Sequence, residues 1–282
     1  MHTTSPWRAV SRVALVLGLF FTGCCFLDSW HSPFFFNFRY QWLKLILSFV
    51  IPAAVTVWNF LTERSLRFAG TACAVLMQVS LVLFFIDRYT VNLIARLDDS
   101  RIIYHFLYTL ISVFTLLAAG WICARCSKAC VDFALFYHRF SLGYLPLCAF
   151  LFILQFFLLR TFGNIFVTAN SVPFRGEIYC LWYYAKTGTL TFSTALHSAG
   201  NVLYFTSLSL ALCGTVRRRP VLWGTLVPVA LSVFVESFQL LTKSGDADVD
   251  DIILNTLGAV LGVLIFRLLL RPLLLQKETR IC

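Results

Sequence analysis

The chain has little charge for its length. Only 13% of its 282 residues are charged, whereas 59% are hydrophobic and 16% are aromatic. A typical soluble domain carries about 25% charged residues. So few polar side chains could not cover a water-facing surface, which excludes an ordinary soluble enzyme, and the high hydrophobicity excludes a disordered chain. The composition therefore predicts a protein that faces lipid, where each spanning backbone group is satisfied within a helix or a closed barrel.

The apolar residues lack the two-residue alternation that barrel strands would show. They form long runs instead, and eight of these approach the length of about 20 residues that crosses a bilayer as a helix. We therefore predict an all-α, polytopic integral membrane bundle with about eight transmembrane helices. The predicted helices lie near residues 10–27, 42–60, 68–86, 102–122, 142–159, 189–213, 221–241 and 251–270.

The basic residues lie mainly between the apolar runs. With the N-terminus inside, 14 of the 23 Lys and Arg residues fall on inside segments and nine on outside segments. This bias predicts that both termini are cytoplasmic and that the chain crosses the membrane several times. The net charge of +10 then indicates a lipid bilayer as partner, and nucleic-acid binding is not expected.

The N-terminus has a second interpretation. Two arginines precede an apolar stretch that ends in Phe21–Cys24, and small residues before a cysteine resemble a lipoprotein cleavage site. Cleavage and lipidation at Cys24 would leave seven spans. An uncleaved first helix is the default prediction.

Acidic residues are scarce, and five of the 13 lie between residues 236 and 251. Glu236 falls inside the seventh apolar run, where an ionisable group costs about 2.5–3.5 kcal/mol and indicates a function or a specific partner. Gln239 lies three residues further along the same helix face. The alternative is that Glu236 lies near the outer interface, partly hydrated, and pairs with a neighbour. The other acids in this stretch are Asp246, Asp248, Asp250 and Asp251.

The eighth run begins at this acidic stretch. Carboxylates at its start complement the positive end of the helix dipole, although this does not explain four aspartates. Asp251, Asn255, Gly258 and Gly262 follow one another along a single stripe, and the two glycines allow another helix to approach closely. Helix packing alone would explain Gly258 and Gly262 well and Asn255 partly.

The sixth run carries polar residues that could meet this stripe. His197 and Asn201 share one face, although a single histidine on an apolar helix is more often a packing residue than a catalyst. The preceding aromatic segment contains Arg175 and is typical of an interfacial loop. In the predicted topology these groups meet at the outer leaflet. The predicted binding residues are Arg175, Asn201, Glu236, Gln239, Asp248, Asp250, Asp251 and Asn255.

Four segments carry a resemblance to a known family. They are NSVPFRGEI at Asn170–Ile178, GNVLYF around Asn201, ESFQLL at Glu236–Leu241 and GDADVDDIILNTLGAVLG at Gly245–Gly262. Together they resemble the VanZ-like family, small bacterial membrane proteins named for a component of a glycopeptide-resistance cluster. The resemblance covers about 160–270. We therefore predict an N-terminal four-helix membrane region at 1–140 with no family match and a VanZ-like membrane domain at 141–282.

Two segments depart from the family pattern. Gly245 stands where the family has an arginine, which leaves the acidic stretch more negative. Phe205–Ser209 lacks the proline and glycine that the family carries there. The resemblance implies a role in the bacterial envelope and a link to resistance against teicoplanin-type glycopeptides. It carries over no biochemical activity.

The sequence predicts a binding protein whose acidic extracytoplasmic site takes a lipid headgroup, a lipid-linked cell-wall intermediate or an envelope protein. One alternative is a metal-dependent enzyme acting on a lipid-linked phosphate or headgroup, with Glu236, Asp251 and His197 as candidate catalytic residues. A divalent cation would then lie at Asp248 and Asp251, because hard cations prefer carboxylate oxygens. No cofactor is otherwise expected, and the sequence lacks a P-loop, an H-E-x-x-H motif and a nucleophile elbow. Another alternative is a small-molecule transporter, although paired broken helices are missing.

Overall fold

The computed structural model describes residues 6–28, 38–90, 99–127, 130–153, 169–175, 178, 182, 186–187, 192–244 and 247–275. Almost all of them are helical, which confirms that the fold is all-α. The helices in chain order are α1 (Pro6–Asp28), α2 (Phe38–Glu63), α3 (Arg67–Thr90), α4 (Asp99–Ser127), α5 (Cys130–Ile153), α6 (Phe192–Thr215), α7 (Pro220–Thr242), α8 (Val249–Ile265) and the short α9 (Arg271–Leu275). A π-helical segment, Phe266–Leu270, joins α8 to α9.

Two segments of two residues each form the β structure among these residues. Strand β1 (Ala169–Asn170) pairs in parallel with β2 (Ala247–Asp248), with Asn170 opposite Asp248. The sequence patterns did not predict this pairing, because two residues are too few to show a strand period.

The predicted helix at 142–159 was placed too late in the chain. Helix α5 begins at Cys130, and residues 154–159 lie outside the described residues. Asp132 and Arg139 interrupt the apolar run in the sequence, yet both bind α3. Arg67 Nε lies 2.9 Å from Asp132 Oδ1, and Arg139 donates to the Arg67 carbonyl at 3.2 Å. Because both side chains are paired with groups on α3, their charges are tolerated within α5. A search for continuous apolar residues stops at such charges and therefore misses the start of the helix.

The chain divides into two compact units. Unit 1 comprises Met1–Phe150 and Leu268–Cys282, and unit 2 comprises Leu151–Arg267. The predicted division at residue 140 rested on the extent of the family motifs and stays a prediction. Residues 1–5 and 276–282 lie outside the described residues, as does the side chain of Cys24.

In unit 1, the packing of α5 relies on aromatic side chains. Rings four residues apart lie along one face, with centroids 6.1 Å apart for Phe133 and Tyr137 and 6.0 Å apart for Phe136 and Phe140. Helix α3 approaches α5 so closely that a Cβ at Gly143 would lie 2.5 Å from the Ala74 Cα. Small residues at this contact allow the helices to approach, as in membrane bundles.

In unit 2, α6, α7 and α8 pack against one another. The contact between α6 and α8 relies on glycine. A Cβ at Gly258 would lie 2.4 Å from the Val202 carbonyl oxygen, and one at Gly262 would lie 2.6 Å from the Thr206 carbonyl oxygen. Thr206 Oγ1 donates to the Gly258 carbonyl at 3.0 Å. The two predicted packing glycines thus lie directly against α6.

Candidate functional site

Aspartates cap and stabilise the N-terminal end of α8. Asp248 is the N-cap, with an extended backbone, and its carboxylate accepts a hydrogen bond from the Asp250 amide at 2.9 Å. Such a cap satisfies an amide that has no partner within the helix. Asp250 and Asp251 lie in the first turn, where negative charge stabilises the helix end. Asp246 lies outside the described residues.

The segment that follows β1 is tied to these aspartates. Asn170 Nδ2 donates to Asp248 Oδ1 at 2.9 Å and to Asp250 Oδ2 at 3.4 Å. The backbone amide of Phe174 donates to Asp250 Oδ1. Asp250 is only 3% exposed and therefore holds residues 170–174 against α8 from a buried position.

Phe174 has a backbone conformation that is uncommon for a residue with a side chain. Its φ of 59° lies in the left-handed region. This conformation accompanies the hydrogen bond from its amide to Asp250. The loop geometry and the buried carboxylate are thus linked.

Glu236 connects α7 to β2. It is 6% exposed, and its Oε2 accepts a hydrogen bond from the Asp248 amide at 2.9 Å. Gln239, one turn further along α7, is 2% exposed. A buried charge requires hydrogen bonds to offset its lost hydration, and the amide of Asp248 supplies one of them.

Asn201 connects α6 to α8. Its Nδ2 donates to Asp251 Oδ1 at 2.7 Å, and both residues are half-buried. The sequence placed Asn201 and Asp251 on helix faces that could meet, and the structure brings them together.

Asn255 lies one turn further along α8 than Asp251. Its Nδ2 donates to Ser232 Oγ on α7 at 2.9 Å, whereas its buried Oδ1 has no hydrogen-bond partner within the described part of the chain. An unsatisfied buried acceptor typically costs about 1–3 kcal/mol. Ser232 lies one turn before Glu236 on α7, so the amide of Asn255 lies at the level just below the acidic side chains.

Seven of the eight predicted binding residues lie at the N-cap of α8, in its first two turns, or on the two helices that pack against it. We call this set the acidic site. Glu236, Gln239, Asp250 and Asn255 are buried in it, and the other three are half-buried. Its residues are Asn201, Glu236, Gln239, Asp248, Asp250, Asp251 and Asn255.

Arg175 is not part of this set, and the structure does not describe where the side chain of His197 lies. Arg175 is exposed at the end of the loop, and the hydrogen bond described for it joins its backbone amide to the Val172 carbonyl. His197 lies on α6, but its side chain lies outside the described residues.

Asn170 and Ser232 were missed by sequence reasoning. Asn170 occurs in the quoted motif but was assigned no role, because its contact with Asp248 joins positions 78 residues apart. Ser232 carried a signal that could have found it, since it lies four residues before Glu236 on the same helix face.

Asp248 and Asp250 accept hydrogen bonds from neutral donors. These donors are the side-chain amide of Asn170 and the backbone amides of Asp250 and Phe174. Among the described residues of segments 169–175, 236–244 and 247–255, four carboxylates accompany two cations, Arg175 and Lys243, which are both exposed. The acidic site thus lies in a locally negative part of the chain.

The described residues contain no group of three or more His, Cys, Asp or Glu side chains arranged to hold a metal ion. Asp248 and Asp251, the pair suggested as a cation site, instead accept hydrogen bonds from Asn170 and Asn201, respectively. A divalent cation at this pair stays an untested prediction.

A family model described as VanZ/LLP1 matches residues 26–271. The chain belongs to the VanZ/LLP1 family. The match includes helices α2 to α5, which the motif resemblance left outside the VanZ-like region. No curated protein and no solved structure matched the chain.

Two of the described helices are long and apolar enough to cross a membrane, Pro220–Thr242 and Val249–Leu275. Shorter apolar helices occur at Phe49–Glu63 and Leu110–Cys126. Together with membership of the VanZ/LLP1 family, these helices indicate a membrane protein of the VanZ type. The acidic site lies between the end of the first long helix and the start of the second.

Proposed function

We propose that this VanZ/LLP1 protein uses the acidic site to bind the polar headgroup of a membrane lipid or of a lipid-linked cell-wall intermediate. The observation that carries the proposal is the convergence of polar side chains from α6, α7 and α8 at one end of apolar helices. Buried polar groups in membrane helices are costly and typically mark a functional site.

The depth of the site supports a headgroup as ligand. Helix α7 has 23 residues, so it spans about 34 Å, close to the thickness of the hydrocarbon core. Glu236 and Gln239 lie within two turns of its C-terminal end, and Asp248 lies just beyond it. Side chains at such a position reach the level at which lipid phosphates and sugars lie.

The segment beside the site supports the same ligand class. Phe174, Ile178 and Trp182 are exposed, and Lys186 Nζ lies 4.1 Å from the centroid of the Trp182 ring. Exposed aromatic side chains next to basic ones are typical of the membrane–water interface. This segment therefore suits contact with lipids whose headgroups enter the site.

We further propose that the chain crosses the bacterial cytoplasmic membrane about eight times, with both termini inside. The distribution of Lys and Arg supports this orientation, and it puts the acidic site on the extracytoplasmic side. A site on that side is accessible to cell-wall intermediates and to glycopeptides of the teicoplanin type. We therefore extend the proposal to a role in teicoplanin susceptibility.

Lipid binding is tested by thermal unfolding of the purified protein in detergent, with bacterial polar lipids added. We expect the lipids to raise the midpoint for the wild type and less so for Glu236→Gln and Asp251→Asn. Asp132→Asn makes the same chemical change in unit 1 and should keep the full shift. An equal shift in all four proteins, or no shift in any, would contradict the proposal.

Topology is tested with single cysteines in a variant whose native cysteines are replaced. Lys243→Cys and Arg218→Cys lie at opposite ends of α7, and both positions are exposed. A membrane-impermeant maleimide added to intact cells should label position 243, whereas position 218 should react only after permeabilisation. The reverse pattern would put the acidic site in the cytoplasm.

The metal-dependent enzyme and the transporter have no specific observation in their favour among the described residues. The link to resistance is tested by comparing growth of a glycopeptide-susceptible host on teicoplanin. Cells producing the wild type should tolerate more antibiotic than cells producing Asp251→Asn at equal protein level.

A further inference from the structure

Four exposed arginines lie at the end of unit 2 opposite the acidic site. Arg217, Arg218 and Arg219 connect α6 to α7, and we call them the arginine loop. Arg267 follows the C-terminal end of α8. No Asp or Glu occurs in residues 178–235, so the sequence has no acid from the start of α6 to the last two turns of α7. This end of unit 2 therefore carries a concentrated positive charge.

Arg267 lies at the same end of unit 2 as the arginine loop. Helices α6 and α8 run parallel, because Gly258 lies against Val202 and Gly262 lies against Thr206. Their C-terminal ends therefore lie on one side, where α7 begins. The carboxylates of the acidic site lie on the other side, at the end of α7 and the start of α8.

The four arginines differ in their contacts from the paired arginines of unit 1. Arg12 binds Glu63, and Arg67 binds Asp132. The side chains of the arginine loop and of Arg267 form no hydrogen bond or ion pair within the described part of the chain. Their charges are therefore available to a partner outside this part of the chain.

Helix stability does not explain the arginine loop. The last turn of α6 contains no basic residue, and a cation beyond that turn stabilises the helix end little. Arg219 is the N-cap of α7, where the helix dipole disfavours positive charge, and its side chain makes no capping hydrogen bond. The loop thus keeps a cation where the helix that follows would favour an acid.

The exposed side chains of α7 put the arginine loop at the level of lipid phosphates. Trp223 lies one turn after Arg219 and is 45% exposed, and tryptophan is enriched at the membrane–water interface. Further along the helix, Leu226 and Val233 are exposed and apolar, as expected for contact with acyl chains. Because α7 spans about 34 Å, its two ends lie at opposite faces of a bilayer.

We propose that the arginine loop and Arg267 bind the phosphate of an anionic membrane phospholipid. This lipid is distinct from the headgroup proposed for the acidic site, and the inference does not depend on that proposal. A guanidinium donates two parallel hydrogen bonds to phosphate oxygens, and basic side chains near a bilayer attract anionic headgroups. A zwitterionic headgroup carries its own ammonium and gains less. A lipid with two phosphates should engage more of the arginines and bind more tightly.

The experiment measures lipid binding to the purified protein by native mass spectrometry. The probes are phosphatidylethanolamine, phosphatidylglycerol and cardiolipin with the same type of acyl chain. Each basic residue near an anionic headgroup contributes about fivefold in affinity. We therefore expect phosphatidylglycerol to bind at least about fivefold more tightly than phosphatidylethanolamine, and cardiolipin more tightly still. Added salt should reduce the difference.

The variants Arg219→Gln and Arg64→Gln form a matched pair. Both arginines are exposed in a connection between two helices and have a left-handed backbone, with φ of 51° and 56°, but Arg64 directly follows Glu63. Arg219→Gln should weaken phosphatidylglycerol binding about fivefold and leave phosphatidylethanolamine unchanged, whereas Arg64→Gln should change neither. Arg219→Lys keeps the charge and should keep most of the preference. If Arg219→Gln does not fold, Arg267→Gln tests the same preference.

Several outcomes would overturn the inference. Equal affinity for the anionic and zwitterionic lipids would do so, and so would an equal loss in Arg64→Gln, because the attraction would then come from net charge alone. Loss of the preference in Asp251→Asn would assign it to the acidic site instead. Displacement of phosphatidylglycerol by the same concentration of glycerol phosphate would indicate a soluble anion. Binding of a single-stranded oligonucleotide by the wild type but not by Arg219→Gln, without any lipid preference, would indicate a nucleic acid.

Discussion

Units 1 and 2 each contain a buried asparagine that donates to a serine on a neighbouring helix. Asn59 Nδ2 lies 3.3 Å from Ser11 Oγ in unit 1, and Asn255 Nδ2 lies 2.9 Å from Ser232 Oγ in unit 2. In both cases a carboxylate lies one turn away from a member of the pair. The two pairs therefore use the same local chemistry.

The two units differ in the group that donates hydrogen bonds to the carboxylate. In unit 1, Arg12 Nε lies 2.6 Å from Glu63 Oε1 and Arg12 Nη2 lies 3.1 Å from Oε2, so a guanidinium neutralises the acid. In unit 2, the donors described for Glu236 and Asp251 are a backbone amide and an asparagine amide. A similar polar pair thus lies beside a carboxylate that binds a guanidinium in unit 1, and beside carboxylates that bind amides in unit 2.

The largest loss of stability should come from removing the guanidinium that binds Glu63 in unit 1. Arg12→Leu leaves Glu63, whose side chain is 9% exposed, without its guanidinium. Removing one partner of a fully buried ion pair costs about 3–5 kcal/mol, and because the Arg12 side chain is 47% exposed we expect a smaller loss of about 2.5 kcal/mol. We expect a loss of this size in SDS-induced unfolding monitored by circular dichroism. Arg8→Leu, on the same helix, should cost much less, and similar losses for both variants would contradict the account.

The glycine contact between α6 and α8 gives the next largest effect. In Gly258→Ala the new Cβ would meet the Val202 carbonyl oxygen, which belongs to the backbone and cannot rotate away. We expect a loss of about 2 kcal/mol from overpacking. Gly200→Ala is the control, because its Cβ would meet nothing within 4 Å. The same unfolding measurement on the two variants should separate them clearly.

These first two changes show how far the sequence alone predicts the fold. The apolar runs predicted the helices, because a lipid environment forces long hydrophobic segments. The stripe of Gly258 and Gly262 predicted a helix contact, because glycines four residues apart lie on one face. The sequence could not predict that Arg12 pairs with Glu63, 51 residues away, since that pairing depends on how two helices align.

For the candidate site, too, the sequence predicted contacts between helix faces but not those made by a loop. Helix periodicity put Asn201 and Asp251 on faces that could meet, and they lie in contact. The hydrogen bonds from Asn170 to Asp248 and from the Phe174 amide to Asp250 were beyond sequence reasoning, because a loop conformation with positive φ at a phenylalanine follows no local preference. Binding by the site residues stays a prediction.

A smaller effect is expected where a buried acid holds a loop. Asp250→Ala removes the acceptor of the Phe174 amide, and the unsatisfied amide should cost about 1.5 kcal/mol. We expect the amide of Phe174 to exchange hydrogen faster by mass spectrometry, while amides within α7 keep their rates. Asp250→Asn retains one acceptor oxygen and should show a weaker change. Unchanged exchange in Asp250→Ala would contradict the role of this carboxylate.

The smallest effect concerns the more exposed ion pair of unit 1. Arg67 and Asp132 have side chains 65% and 19% exposed, so water screens their attraction. A double-mutant cycle with Arg67→Ala and Asp132→Ala should give a coupling of about 0.5 kcal/mol that weakens with added salt. A coupling as large as the loss in Arg12→Leu would contradict the distinction between the partly buried pair and the exposed one.

The contact between α6 and α8 also limits how a ligand could enter. No side chain separates Gly258 from the Val202 carbonyl, and Thr206 bridges the same two helices with a hydrogen bond. Helices α6 and α8 should therefore move as one rigid unit, since sliding or separating them would lose backbone packing along two turns. Asn201 and Asp251 lie on these two helices. Any widening of the acidic site would then require movement of α7 or of residues 170–174, and moving that loop would break its hydrogen bonds to Asp250.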